Sequence, residues 1–119
     1  VLMTFRSKTE EQVAAFLDNC KVNYQYEPGT IDYTLQCRYK PDFVLINGVH
    51  LEVKGYFPSK DRRKMLAVKK DNPDLDIRMV FQKPYNTIYK GSKTTYAQWC
   101  ERHGFPWTSF YDLPLEWIT

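Results

Sequence analysis

No run of about 18 apolar residues occurs in the 119-residue chain, so no membrane-spanning helix is expected. No charged-then-apolar leader precedes the first helical pattern, so no secretion signal is expected either, and a cytoplasmic protein is the natural reading. Cysteine is scarce. Cys20, Cys37 and Cys100 are scattered, odd in number and form no CxxC pair, which argues against a disulfide framework or a zinc site and leaves reduced thiols. Histidine is scarcer still. His50 reads as a strand-surface residue, and His103 as a cation suited to the last turn of a helix. Repeats, low-complexity tracts and linkers are all missing, so a single domain over residues 1–119 is expected. The first residue is Val rather than Met, as expected of a trimmed chain whose native ends lie outside it.

What is present can fill a core: 43% of residues are apolar and 16% aromatic. The net charge is only +3, but it is unevenly placed. Residues 54–70 carry seven Lys or Arg against one Asp, and residues 83–93 carry three Lys and no acid, so the remainder is net acidic. A polyanion held on one face suits that placement. The plainer alternative is that KDRRK is a solvated helix face.

Ser7-Lys8-Thr9-Glu10 fits a capping box, and Val13, Phe16, Leu17 and Cys20 follow at helical spacing, giving a helix over roughly 8–20. Lys21–Tyr26 reads as a short strand and Pro28-Gly29 as a turn. Ile31, Tyr33, Leu35, Cys37 and Tyr39 alternate with more polar residues, the pattern of a long strand. Phe43–Ile46 and Val49–Lys54 flank Asn47-Gly48 as a hairpin. A second helix is expected near 60–71, capped by Ser59 and closed by Asn72-Pro73, followed by a buried strand over Ile77–Phe81. Ser92 or Thr94 opens a third helix that stops at Gly104. Residues 105–119 are aromatic and broken by proline, and take no assignment. The order implies an α/β (α+β) domain with a mixed central sheet flanked by helices.

The hairpin, PDFVLINGVHLEVKG over Pro41–Gly55, carries the chemistry. A two-residue loop would pair Phe43 with Glu52 and send Asp42 to the other face. An odd-length loop centred on Asn47 pairs Asp42 with Glu52, Phe43 with Leu51 and Leu45 with Val49. The second register makes one face apolar and the other catalytic, and a one-residue slip would reverse them. A loop of three or five residues is therefore expected, with Gly48 at positive φ. His50, Glu52 and Lys54 then share a face by the period of two, and Val53 points into the core while its carbonyl lies beside the carboxylates. Two carboxylates, a carbonyl and waters suit Mg²⁺. Lys54 could orient or help deprotonate a water and steady charge on a phosphodiester. The bland reading is a hairpin with a surface Glu–Lys pair. Glu10 shares a helix stripe with Val13 and Leu17. It is either a further metal ligand reaching a sheet edge or simply the capping residue.

The motif as a whole resembles the core of the PD-(D/E)xK nuclease superfamily. Over nearly the full length, FRSKTEEQV, YKPDF, NGVHLEVKGYF, DRRKMLAVKKDNPDLDIRMVF, IYKGSKTTYAQWCERHG and LPLEWI resemble the phage endonuclease I family, the junction resolvases of T-odd phages. The resemblance implies a restriction-endonuclease-like fold and a phage protein that acts inside the bacterial host. It implies paired symmetric nicks at four-way (Holliday) junctions and branched DNA, leaving 5′-phosphates, with Mg²⁺ or Mn²⁺. It implies a domain-swapped homodimer, bridged by the strand over Ile31–Tyr39. It also implies that Asp42, Glu52 and Lys54 are catalytic, and that Glu10 joins them from the partner chain. Asp42, Glu52, Glu10 and the Val53 carbonyl are then the metal ligands. Arg6, Lys8, Lys60, Arg62, Arg63, Lys64, Lys69, Lys70, Lys90 and Lys93 are the candidates for DNA backbone contacts. Family members carry basic extensions before and after this stretch, and their absence is expected to weaken phosphate contacts. The competing expectations are a related repair- or restriction-type nuclease acting on other DNA, a catalytically inactive DNA-binding module, and a structural domain without chemistry.

Overall fold

The computed structural model describes residues 4–119. The chain divides into two compact units, one ending at Gln36 and the other spanning Cys37–Thr119.

In the first unit, α1 runs over Lys8–Asn19, where the Ser7 hydroxyl accepts from the Glu10 N–H (3.1 Å) and satisfies one orphan donor of the first turn. The strand expected over Lys21–Tyr26 does not form. The Val22 N–H instead donates to the Leu17 carbonyl and the Lys21 N–H to the Asp18 carbonyl, which closes α1 with Lys21 at φ 57°. A residue in that left-handed cap reverses the chain and cannot begin an extended strand. The aromatic ring of Phe5 meets Tyr26 edge-on at 4.7 Å. Ala14 is the one buried α1 residue, and Val13 and Phe16 stay exposed despite their helical spacing. The strand expected over Ile31–Tyr39 is likewise not assigned. Ile31, Tyr33 and Leu35 stand exposed, and residues 31–39 do not join the sheet. Alternation shows which side chains share a side of the backbone, and it does not by itself make a strand.

The second unit is a four-stranded sheet in the order β1–β2–β3–β4, with β1 at Phe43–Val44, β2 at His50–Lys54, β3 at Ile77–Phe81 and β4 at Trp107–Ser109. β1 and β2 are antiparallel, and the other neighbours are parallel. Each parallel pair needs a crossover: α2 (Ser59–Asp71) joins β2 to β3, and α3 (Tyr96–His103) joins β3 to β4. A 3₁₀ turn at Phe110–Asp112 and a short α4 at Leu115–Ile118 follow. The mixed sheet with flanking helices is the expected α+β architecture, but its fourth strand was not legible in the aromatic tail. The caps also differ from expectation. Pro58, not Ser59, precedes α2, because its fixed φ suits the entry. Thr95, not Ser92 or Thr94, caps α3 in a reciprocal capping box with Gln98, and Gly104 ends it at φ 76°.

The sheet buries both faces unequally. Ile77, Met79 and Phe81 point to the helix-covered side, where Phe57, Met65, Trp99, Cys100 and Phe105 complete the main core. Val49, Leu51 and Val80 form a smaller cluster on the reverse side with Leu45 and Trp117. Parallel partners share a face, and Glu52 is paired with Met79. The face carrying His50, Glu52 and Lys54 is therefore the main-core face. Val53, expected in the core, is 42% exposed on the thinly covered reverse side.

Candidate active site and nucleic-acid surface

The register follows the odd-loop pattern. Phe43 pairs with Leu51 and Val44 with His50, while the Leu45 N–H donates to the Val49 carbonyl (2.8 Å). The loop is thus Ile46-Asn47-Gly48, with Gly48 at φ 89°. Asp42 lies one residue before the first paired residue of β1, Phe43. The β1 ladder ends there in an unusual way. The Val53 N–H donates to the Asp42 carboxylate (2.8 Å), so a side chain takes the acceptor role a main chain would otherwise fill. The N–H and carbonyl of one strand residue point to the same strand edge, so the Val53 carbonyl shares the edge that holds Asp42.

Glu52 is 4% exposed. A buried carboxylate is costly unless its oxygens are matched. Here the Tyr39 hydroxyl donates to Oε1 (2.8 Å) and the Lys54 ammonium lies 3.4 Å from Oε2. Lys54 also donates to Asp61 Oδ2 (3.2 Å), in the first turn of α2. Burial pushes the Lys54 pKa down, but the Asp61 hydrogen bond and the charges of Glu52 and Asp61 outweigh it and hold the pKa above the ordinary lysine value. Burial, then the hydrogen bond to Glu52, raises the Tyr39 phenol. Tyr39 is thus a neutral donor and Lys54 a cation.

Tyr39 and Asp61 were not singled out from the sequence. Tyr39 gave no signal beyond strand alternation. Asp61 did carry one: it is the lone acid in the basic run 54–70. Glu52 and Asp61 against Lys54 leave this cluster net acidic, and the Asp42 carboxylate, held by the Val53 N–H, adds a further hard oxygen donor on the adjoining hairpin strand. Among the described residues, no group of three or more His, Cys, Asp or Glu side chains converges as a metal site. His50 is occupied locally, one ring nitrogen lying 3.0 Å from the Gly48 carbonyl.

Glu10 lies in the first unit. Its carboxylate accepts from the Tyr26 hydroxyl (2.8 Å), and that bond, more than the nearby Ser7 and Arg6, holds its pKa below the usual range. Arg6 itself pairs with Glu27 (2.7 Å).

The basic candidates divide by use. On α2, Lys60, Arg63, Lys64 and Lys70 are not tied to the fold by hydrogen bonds of the kind that hold their neighbours, and Lys60, Arg63 and Lys64 lie at least partly open to solvent. Arg62 instead donates to the Phe57 and Ile88 carbonyls (2.8 and 2.9 Å), and Lys69 donates to the Gly104 carbonyl (3.1 Å) over the Phe105 ring. Both are tied into the fold. Lys64 sits 5.5 Å from the Tyr39 ring centre. Lys8 and Lys90 are exposed. No helix among the described residues is long and apolar enough to cross a membrane.

Comparison with known proteins gives a consistent picture. The family model described as "Phage endonuclease I" matches residues 1–119. The chain is 38% identical over 117 residues to "Endonuclease I" of Escherichia phage T7, covering 96% of this chain and 78% of that protein. It is 42% identical over 103 residues to "Endodeoxyribonuclease 1" of Enterobacteria phage T3, covering 84% of this chain and 68% of that one.

Proposed function

The chain belongs to the phage endonuclease I family, and from that premise we propose a metal-dependent, structure-selective nuclease that resolves four-way junctions by paired symmetric nicks. That it is a DNA-cleaving hydrolase follows from its relatives. One arrangement supports the finer reading: the Lys54 ammonium lies between the Glu52 and Asp61 carboxylates, and the Asp42 carboxylate accepts from the N–H of Val53, the residue between Glu52 and Lys54.

Asp42, Glu52 and the Val53 carbonyl would hold Mg²⁺, with Mn²⁺ able to replace it, and the bound ion would supply Lewis-acid charge at the attacked phosphate. The protein's own groups do the rest. Lys54, held as an ammonium, donates to a phosphate oxygen and offsets the negative charge that grows there. In that state it cannot take a proton, so orienting water and stabilising charge is its role rather than general base. Asp61 holds the ammonium in place, and Tyr39 fixes the Glu52 carboxyl.

Glu10 completes the set from a second copy of the chain in a domain-swapped homodimer. The exposed apolar side chains of the first unit support this: Val13, Phe16, Ile31 and Tyr33 are exposed, and apolar patches left open to water mark interaction surfaces. Two active sites at fixed separation would read branch shape rather than base edges, with Arg6, Lys8, Lys60, Arg63, Lys64, Lys70, Lys90 and Lys93 on phosphates.

The test incubates the protein with a four-way junction and with matched linear duplex, with and without Mg²⁺. Paired nicks in the junction alone, only with metal, are expected. Equal cutting of both substrates would remove the resolvase reading, and binding without any cutting would favour an inactive module.

A further inference from the structure

Two clefts meet at Gln82. The smaller, about 240 Å³, is lined by Val53, Lys54, Gly55, Gln82, Phe110 and Tyr111. The larger, about 570 Å³, opens past the C-terminal ends of β3 and β4, and Gln82, Lys83, Tyr85, Asn86, Trp107 and Asp112 are among its walls. Its size lies within the range of about 300–1,000 Å³ usual for small-ligand sites. Gln82 is fixed against the active strand: its N–H donates to the Lys54 carbonyl (3.1 Å). A Cβ at Gly55 would lie 3.2 Å from Gln82 Oε1, so glycine leaves that side chain its place. One residue therefore links the wall beside Lys54 to the larger cleft.

Both clefts carry aromatic rings that neither core cluster buries. Tyr85 is 73% exposed and meets Trp107 edge-on at 5.8 Å. Phe110 and Tyr111 are exposed and form a second edge-on pair at 5.2 Å. The polar residues of the larger cleft are mixed: Lys83, the amides Gln82 and Asn86, the hydroxyl residues Thr108 and Ser109, and Asp112. With one lysine among these walls, the cleft lacks the concentrated positive charge that suits a phosphate. A nucleobase offers donors and acceptors on one edge and a π face on each side, and it matches this lining.

We propose that the cleft beside Trp107 receives an unpaired nucleobase of the DNA strand that passes Lys54, with Tyr85 as its stacking face. The proposal rests on the reading that Lys54 acts on a DNA strand. It adds a reason why DNA with unpaired nucleotides at the branch, such as a flap, should suit the protein better than paired duplex.

The experiment measures binding by fluorescence anisotropy in EDTA, where nothing is cut. The probes are a dye-labelled duplex with a three-nucleotide unpaired flap and the same duplex fully paired. Tyr85→Ala should weaken flap binding about tenfold, the scale of one lost base–aromatic stack, and leave the paired duplex unchanged. Tyr85→Phe should bind the flap as the parent does. Equal weakening on both probes, or no weakening on either, overturns the proposal. Because this readout needs no cleavage, a chain that fails to nick junctions yet shows the flap-selective loss would sink the resolvase reading and leave the cleft standing. A chain that nicks junctions without any Tyr85 effect would sink the cleft alone.

Discussion

The two units of the chain treat their apolar residues in opposite ways. In Cys37–Thr119, Phe57, Phe81, Met65, Met79 and Cys100 are fully buried between sheet and helices. In the unit ending at Gln36, α1 buries only Ala14, while Phe16 is 65% exposed and Ile31 91% exposed. The charged groups differ in the same sense. Glu52 is buried, with its two oxygens matched by Tyr39 and Lys54, whereas Glu10 is a carboxylate held by one tyrosine near the surface. The sheet unit closes a core of its own and can hold a buried charge cluster at its edge. The unit around α1 has a helix and a hydrogen-bonded cap, but Val13, Phe16, Ile31 and Tyr33 stay exposed. In the homodimer proposed above, a second copy of the chain covers them.

The contrast is broken most directly by truncating one ring in each unit. Phe57→Ala should cost about 3–5 kcal/mol in urea unfolding, while Phe16→Ala should cost under about 0.5 kcal/mol in dilute protein. A large, concentration-dependent loss for Phe16→Ala would show that the ring is buried in an assembly. Next, Lys54→Ala should lower the cleavage rate about 10²–10³-fold with DNA binding in EDTA intact. Asp61→Asn should lower it less, by about 10- to 100-fold at unchanged KM, because the ammonium loses its anchor rather than its charge. Normal cutting by Lys54→Ala would discard the role given to the hairpin. Lys21→Gly should stabilise the α1 unit by about 1 kcal/mol, since a left-handed residue with a side chain carries a strain that glycine avoids. An unchanged denaturation midpoint would show that the cap does not persist in solution.

The smallest expected effect concerns pH. The Glu10 pKa is depressed, so the favourable contribution of its carboxylate is present above the ordinary glutamate range and fades as pH falls through the depressed value. Tyr26→Phe should move the Glu10 titration upward, read by NMR. No movement would remove Tyr26 as its holder.

Much of the sheet unit was legible in the order of its residues. The period of two through His50, Glu52 and Lys54, the Asn47-Gly48 turn and the need to keep Phe43, Leu45, Val49 and Leu51 together allowed only the odd-loop register, and that register is the one formed. α1, α2, α3 and β3 were legible from spacing within a few residues of their observed ends. The failures share a cause. Ile31–Tyr39 alternates like a strand but is not one, because alternation records which side chains share a side and not whether the backbone joins a ladder. β4 is three residues long and was hidden in a proline-broken aromatic tail. Asp61 and Tyr39 reach the site from a helix start and from the chain before the hairpin, and local pattern gives no distance between such segments.

By itself, the sequence determined the hairpin register and the placing of Glu52 and Lys54 on one face of β2, because side-chain alternation and turn chemistry act over a few residues. Only the tertiary structure decided that Glu52 is buried on the main-core face, that Asp61 and Tyr39 fix Lys54 and Glu52, and that Val53 turns outward. Those outcomes depend on which side of β2 the helices cover, and that is set by the parallel pairing of β2 with β3 across a crossover of more than twenty residues.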